Sequence, residues 1–463
     1  LKRKGNRLKI AVFGAGLAGL SAAEELARHG HEVVVLEREP SVGGLASTVK
    51  RDGFKYDLGP HRFHTTSDEI LNFVRSLPDV KFSELNRVSR IRLLDRYFDY
   101  PLALSNVLTT MPIHMGLGMM LSFLGEKIRG VFAPREQKSF EGWVLSRFGR
   151  GLYELYLAPY NRKLWGIEPS TLSADWASQR ITVPSLAGLI RETVFPSKET
   201  VRSLVSTFHY PDGGIGNISL ALASRITEMG GSILVSTEPT GIQRTDTGWG
   251  INLKNGHLEC EKIVNTIPVN DYTKLLGSIL PGEVHEAASS LKFRALVFLT
   301  VLLNGEIEPS DHWIYTSEDR YLFNRLSIPR NFDKDAPSQV VFEYSCQVGD
   351  RIWNMTTDEL FESSVPGAEH LGLFTADMVK GVDVKRISHA YPIYDLGYAE
   401  KTAVVLDALE NLSGSVTCGR QGLFRYNNMD HSIEMGKYAA LEIMGKASVK
   451  NHFNWDGSTW ADG

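Results

Sequence analysis

Lys9-Ile10-Ala11-Val12-Phe13-Gly14-Ala15-Gly16-Leu17-Ala18-Gly19 is the stretch on which the reading of the whole chain turns. A short apolar strand runs directly into a GxGxxG loop. A helical run over 17–29 follows, with Gly30 as its stop. Residues 32–36 read as a second strand, and Glu37 stands at its end. Each part has a physical task. Gly14 permits the tight turn, Gly16 lets a pyrophosphate approach the backbone, and Gly19 lets the helix pack closely on the strand. The helix start at Leu17 and Ala18 offers unpaired N–H groups and the positive end of a dipole to phosphate. The Glu37 carboxylate suits ribose hydroxyls as hydrogen-bond donors. Strand, loop, helix, strand and acid in this order predict a Rossmann βαβ unit that binds a dinucleotide.

The chain around this unit is long enough for a sizeable core. It has 463 residues, 43% of them hydrophobic, which suggests two or three domains. Net charge is −4, from 50 basic and 54 acidic residues, so bulk nucleic-acid binding is not indicated, and an acidic ligand needs a local basic pocket. Cys260, Cys346 and Cys418 are far apart, which argues against zinc or a redox pair and fits a reducing cytoplasm, the expected location. No spacing points to a metal site, a Ser–His–Asp nucleophile or a P-loop. The basic residues of 1–9 read as a solvated tail rather than a signal peptide. Residues 102–124 contain no Lys, Arg, Asp or Glu, a length that would permit a membrane span. Ser105, Asn106, Thr109, Thr110, Pro112 and His114 interrupt it, so buried or amphipathic helices are expected, with peripheral membrane contact left open.

Further along, Phe140, Trp143, Val144, Phe148, Leu152, Leu155 and Tyr156 recur at helical spacing. Tyr210-Pro211-Asp212-Gly213-Gly214 signals a turn before a helix over 218–229, and strands are expected over 233–235, 249–253, 262–267 and 293–303. The expected fold class is α/β, a Rossmann core built from separated segments with helical and β-sheet insertions. The expected boundaries are a first core segment 1–100, a helical insertion 101–195, a second core segment 196–285, an antiparallel β-sheet substrate domain 286–395 and a C-terminal core segment 396–463.

Glu37-Arg38-Glu39-Pro40-Ser41-Val42-Gly43-Gly44, continuing to Leu45, resembles the glutathione-reductase-type FAD signature, in which a GG pair follows the acid. Residues 233–242 are similar to the segment flanking the adenine, and Lys262-Ile263-Val264-Asn265-Thr266-Ile267-Pro268 to the strand that returns to the FAD domain. No second GxGxxG follows a strand, so a dedicated NAD(P)H domain is not expected. NAD(P)H stays a candidate external reductant.

Four further stretches resemble the UDP-galactopyranose mutases, within the amine oxidase and protoporphyrinogen oxidase superfamily. Asp57-Leu58-Gly59-Pro60-His61-Arg62-Phe63-His64-Thr65 is similar to their GPHxFHT segment, implying His61 beside the isoalloxazine. Tyr156-Leu157-Ala158-Pro159-Tyr160-Asn161-Arg162-Lys163-Leu164-Trp165 resembles their PYNxKxW segment. This implies Tyr156 stacked on the uracil, Asn161 at its edge and Trp165 walling the pocket. Arg180 lies where the eukaryotic mutases carry an active-site arginine. His312-Trp313-Ile314-Tyr315 and Leu322-Phe323-Asn324-Arg325 resemble their WLY and FYR elements, with Asn324 where they have Tyr. Arg325, with Tyr315, is thereby implied at the diphosphate. Ala390-Tyr391-Pro392 and Gly419-Arg420-Gln421-Gly422-Leu423-Phe424-Arg425-Tyr426-Asn427-Asn428-Met429 resemble the closing GRxGxxxY segment. Tyr391 and Tyr426 are implied on the phosphates, Arg420 near the flavin, and Asn428 and Met429 at a turn capping FAD. The spacing from Tyr426 to Asp430 looks bacterial, whereas the Tyr315 and Arg325 elements look eukaryotic.

The resemblance implies an FAD-dependent mutase interconverting pyranose and furanose forms of a nucleotide sugar, UDP-linked by default. In that family reduced FAD forms an N5–sugar adduct, and the product serves cell-surface polysaccharide synthesis. His61, Arg180 and Arg325 carry the implied catalytic roles. The competing expectation is a flavin oxidoreductase of the amine oxidase, protoporphyrinogen oxidase or phytoene desaturase type, which shares the fold.

Overall fold

The computed structural model describes residues 7–100, 106, 110–133, 135–180 and 207–453, side chains at 178–180 excepted. β1 (Lys9–Phe13) is the central strand of a five-stranded parallel sheet. It pairs with β2 (Glu32–Leu36) on one side and with Lys262–Asn265 on the other. Ser232–Leu234 and Ser415–Thr417 form the edges. Residues 10–13 are fully buried, because helices and a second layer cover both faces of a parallel sheet. α1 (Leu17–Arg28) follows the glycine loop and packs on the helix Met429–Ile443 so closely that a Cβ on Gly436 would lie 2.1 Å from the Ala18 carbonyl oxygen. Segments far apart in sequence thus build one core, as the strand pattern predicts.

The second sheet has seven strands in the order Val379–Pro392, Phe293–Leu303, Gln339–Cys346, Arg325–Ser327, Trp313–Thr316, Ser89–Leu93 and Arg96–Asp99. All its pairs are antiparallel except Trp313–Thr316 with Ser89–Leu93. Two strands from the N-terminal part of the chain therefore complete a sheet whose other members begin only at Phe293. The long strand Phe293–Leu303 is buried on nearly every residue, which is why it reads as a continuous apolar run. A three-stranded meander, Pro239–Thr245, Gly248–Leu253 and Gly256–Cys260, completes the second core segment.

The helical insertion is described from α2 (Ile113–Phe132) onward. α3 (Phe140–Leu152) lies against it, and Gly149 (φ +79°) breaks α3 where its Cβ would meet the Phe123 Cα at 2.8 Å. A π-type turn, Tyr153–Leu157, leads into α4 (Ala158–Trp165). Where sequence predicts buried or amphipathic helices over 102–124, the described part differs in one respect. α2 is apolar on both faces, and the outer face is exposed at Ile113, Leu117, Leu121 and Leu124. Residues 113–125 include no Asp, Glu, Lys or Arg, so hydrophobic periodicity has no polar side to mark as wet. Residues 102–105 and 107–109 lie outside the described residues. No described helix is long and apolar enough to cross a membrane.

Candidate active site

One cleft of about 1520 Å³ is lined from both sheets and from the helical insertion. Nine Lys or Arg side chains line it against four carboxylates, although the chain as a whole is slightly acidic. The cleft is the local basic pocket that an acidic ligand requires.

At one end stand the glycine loop and its supports. Gly14 has φ +95°, and a Cβ there would meet Thr266 Oγ1 at 2.7 Å. A Cβ on Gly19 would come within 2.0 Å of the Gly14 carbonyl oxygen, so the loop folds back only over hydrogen. Gly16 differs: a Cβ there would touch nothing within 4 Å, because its open side faces the cleft. It also precedes α1 without any capping side chain. The first amides of α1 are thus left to a ligand. Gly43 N–H donates to the Ala15 carbonyl at 2.8 Å, and Gly44 packs over Gly16, which seats the GG pair beside the loop. The buried Glu37 carboxylate accepts from Ala15 N–H at 2.7 Å and Glu39 N–H at 2.9 Å. An open helix N-terminus, a fixed acid and a long cleft fit a flavin dinucleotide lying away from the loop.

At the other end, the turn 57–61 carries His61 into the cleft. Gly59 N–H donates to the Asp57 carbonyl and His61 N–H to the Gly59 carbonyl, with Gly59 at φ +123°. The Asp57 carboxylate anchors this turn. It accepts from Thr48 Oγ1 at 2.6 Å, Tyr210 OH at 2.8 Å and Ile215 N–H at 3.3 Å. Burial pushes the Asp57 carboxyl up to about 6 despite these donors. Burial, and then the charges of Arg420 and Arg325, push the His61 imidazole down to about 3. It is neutral at pH 7, and its Nδ1 is buried without a partner among the described residues.

Arg325 and Arg420 supply fixed positive charge. Arg325 Nη2 donates to the Glu343 carboxylate at 2.5 Å, with the acid buried and the guanidinium mostly shielded. Asn324 Nδ2 donates to the other Glu343 oxygen at 3.2 Å, while Asn324 Oδ1 accepts from Ser345 N–H at 2.9 Å. Asn324 therefore orients the acid that orients the arginine. Burial opposes the Arg325 charge, but Glu343 and the phenols of Tyr315 and Tyr391 outweigh it and hold the guanidinium protonated. The Arg420 guanidinium lies 4.9 Å from the Tyr426 ring and 5.4 Å from Tyr391. Those two rings stack at 5.4 Å. Trp165 meets Tyr391 at 6.2 Å and Trp176 at 5.3 Å, which closes an aromatic wall. Arg420 also donates to the Asn427 and Ala390 carbonyls, which hold it in place, and two guanidinium groups among phenols, facing a neutral imidazole, are chemistry that suits an anion such as phosphate.

Of the residues singled out from sequence, Gly14, Gly16, Leu17, Ala18, Glu37, Arg38, Gly43, Gly44, Leu45, His61, Trp165, Tyr315, Arg325, Tyr391, Arg420, Tyr426, Asn428 and Met429 line this one cleft. Gly19 lies beneath the loop. Tyr156 and Asn161 do not line the cleft. The π-type turn just before α4 directs Tyr156 into an apolar cluster with Ile91 and Phe208, stacked at 5.6 Å behind Tyr160. Asn161 is buried and donates to the Leu157 carbonyl at 2.7 Å. Arg180 ends the helix Ala174–Arg180, and its side chain lies outside the described residues. The cleft also contains Arg62, Tyr100, Tyr160 and Trp176, which sequence reasoning passed over. Arg62 and Tyr160 sit inside motifs already quoted, so motif membership was a usable signal. Glu343, within an unbroken buried strand, gave none.

The model of the flavin containing amine oxidoreductase family matches residues 17–366. A probable UDP-galactopyranose mutase of Klebsiella pneumoniae is 28% identical over 173 residues, covering 37% of this chain and 44% of that protein. A 4,4'-diapophytoene desaturase of Staphylococcus aureus is 51% identical over 53 residues, 11% of each chain. The matches therefore span less than half the length of these relatives. The crystal structure of a reduced UDP-galactopyranose mutase superposes with a TM-score of 0.83 at 20% identity, over 97% of this chain and 98% of that one, and shares its fold.

Proposed function

This chain belongs to the flavin-containing amine oxidoreductases, and from that premise we propose that it is an FAD-dependent mutase that interconverts pyranose and furanose forms of a nucleotide-linked sugar, UDP-galactose by default. The observation that carries the reading is the convergence of Arg325, Arg420, Tyr315, Tyr391 and Tyr426 with His61 in the cleft that also holds the glycine loop. An oxidoreductase acting on an amine or a hydrocarbon has no use for two guanidinium groups dressed with phenols inside the cleft.

In this proposal the parallel-sheet core holds FAD, and the seven-stranded sheet encloses the substrate with the helical insertion; strands Ser89–Leu93 and Arg96–Asp99 belong to that sheet, so the expected first core segment 1–100 stops short of them. FAD, when bound and reduced by an external donor such as NAD(P)H, supplies the nucleophile, and the cycle has no net redox change. The protein's own share is orientation and electrostatics. Arg325 and Arg420, with the phenols of Tyr391 and Tyr426, hold the diphosphate as leaving group and then as returning nucleophile. The resemblance gives Arg180 a catalytic role as well. His61, neutral at pH 7, would offer bound FAD a hydrogen-bonding partner without adding charge. Trp165 and Trp176 exclude water from the sugar. Tyr160 takes the stacking role first given to Tyr156. A reducing cytoplasm suits three buried, unpaired thiols, and the product suits cell-surface polysaccharide synthesis.

Two measurements test this. UDP titrated into oxidised and reduced protein perturbs the flavin spectrum saturably, and dithionite-reduced protein converts UDP-galactofuranose to UDP-galactopyranose by chromatography. Absence of both, across several nucleotide sugars, overturns the proposal. The second reading, a flavin oxidoreductase, draws on the short desaturase match. It predicts anaerobic bleaching of the flavin by an apolar substrate and silence toward UDP.

A further inference from the structure

Arg62 stands at the free position of the GPHxFHT segment, and no step of the proposed mutase needs it. The backbone there is extended. Phe63 N–H donates to the His209 carbonyl at 2.9 Å, and His209 N–H donates to the Phe63 carbonyl at 3.0 Å. Neighbouring side chains of an extended segment point to opposite sides. Phe63 is fully buried, so Arg62 and His64 turn the other way and line the cleft. Among the described residues the Arg62 guanidinium has neither a carboxylate partner nor a hydrogen bond, and it lies over the Trp313 ring, 6.0 Å from the centroid. The four carboxylates of the cleft, Glu37, Glu39, Glu238 and Asp271, sit on segments that support the glycine loop. Glu39 and Asp271 are paired there with Lys385 at 2.9 Å and Lys274 at 3.4 Å.

Beside Arg62 stands a second cation rather than an acid. Arg87 donates to the Tyr100 carbonyl at 3.0 Å and faces the Tyr100 ring at 5.2 Å. Burial, and then the charge of Arg62, push the Arg87 guanidinium down. The same two causes push the His64 imidazole down, so it is neutral at pH 7 and supplies no counter-charge. The diphosphate of the proposed substrate is already met by Arg325 and Arg420, which leaves Arg62 in surplus. We propose that Arg62 is a specificity-determining residue for a substrate whose sugar carries a carboxylate, a nucleotide-linked uronic acid in place of a neutral hexose. This inference rests on the mutase reading and narrows its substrate class. Arg62 directly follows His61, which that reading sets against the flavin, so it belongs to the sugar's end of the cleft. A carboxylate on the sixth carbon leaves the anomeric carbon and the ring-closing O4 untouched, so the ring contraction itself is unaltered. Guanidinium and carboxylate match as a fork of two parallel hydrogen bonds. A neutral sugar instead shuts the cation in without a partner, and that penalty discriminates against it.

The test is titration of the oxidised, FAD-loaded chain with UDP, UDP-galactose and UDP-galacturonate, read from the flavin spectrum, on wild type, Arg62→Leu and Arg62→Lys. Wild type is expected to bind UDP-galacturonate about tenfold to a hundredfold more tightly than UDP-galactose, the ratio that a hydrogen bond to a charged group supplies. Arg62→Leu is expected to bring the two sugars within about threefold of each other, and Arg62→Lys, which keeps the charge without the fork, to fall between. The wild-type ratio needs no variant, so it decides the matter even where a substitution unfolds the chain. A wild type that binds UDP-galactose as tightly as UDP-galacturonate overturns the inference and leaves the mutase reading standing. An Arg62→Leu variant that loses UDP itself as steeply as UDP-galacturonate overturns it too, because Arg62 then serves the diphosphate. Silence toward UDP in every form of the protein overturns the mutase reading and this inference with it.

Discussion

Replacing Arg325 with Met strands the Glu343 carboxylate, which is 3% exposed and pairs with the guanidinium at 2.5 Å. Removing one partner of a buried pair leaves an uncompensated charge and costs about 3–5 kcal/mol. Asn324 still donates one hydrogen bond to Glu343, which places the expected loss near the lower figure. The assay is urea denaturation at pH 7, run on Arg325→Met, Glu343→Leu and the double variant. Each single change is expected to be severe. The double change removes both charges and is expected to recover to within about 1–2 kcal/mol of wild type, a coupling of at least about 2 kcal/mol across the cycle. UDP affinity separates the two roles of the arginine. Hydrogen bonds to charged groups contribute about 1.5–3 kcal/mol, so both variants lacking Arg325 are expected to bind UDP about tenfold to a hundredfold more weakly, including the stable double variant. A single variant that costs under about 1 kcal/mol refutes the buried pair. A double variant that regains UDP affinity refutes the substrate role.

The two inner glycines should behave differently: Gly19→Ala is expected to lose flavin together with stability, because its Cβ meets a backbone oxygen at 2.0 Å, whereas Gly16→Ala is expected to keep the apo-protein's melting temperature and lose only flavin affinity. Comparable melting losses in both would refute the division into packing and ligand-facing positions. For Asp57, folding raises the carboxyl to about 6, above the roughly 3.9 of an unfolded chain. Its contribution is therefore full below about pH 4, falls by about 3 kcal/mol as pH rises to about 6, and is flat beyond. Stability of Asp57→Asn relative to wild type is thus expected to rise over that window in urea titrations at stepped pH, and a difference independent of pH would count against it. His61, held down to about 3, is expected to show a pH-invariant ring shift between about pH 5 and 8 in histidine-labelled NMR, assigned by its loss in His61→Gln. A titration near 6.5 would contradict the burial argument.

The parts of this fold legible in sequence are those set by local chemistry. β1, the glycine loop, α1 and β2 are contiguous, so their periodicities and glycines report them directly. The cleft residues are legible where a motif carries several of them at once, as around His61 and Arg420. Three things are not legible, each for its own reason. The parallel pairing of Ser89–Leu93 with Trp313–Thr316 depends on a partner far down the chain; the alternation of Ser89–Leu93 marks a strand but not which strand lies beside it. The exchange of Tyr156 for Tyr160 at the cleft follows from the π-type turn, which shifts helical register without changing the hydrophobic pattern. Glu343 is a charged residue inside a strand buried at every position. Its pairing with Arg325 exists only once two strands lie side by side.

That long-range pairing also sets a clock. The hairpin of Ser89–Leu93 and Arg96–Asp99 turns through Leu94 and Asp95, both at positive φ, and forms from adjacent residues. Its neighbour in the sheet is made about 220 residues later, which at about 5–20 residues per second on the ribosome is a wait of roughly 10–45 s. For that interval one strand edge, bearing Ile91 and Leu93, has no partner. Such an edge invites pairing with another nascent chain, so yield in a cell should depend on chaperones that shelter the hairpin until translation passes Thr316.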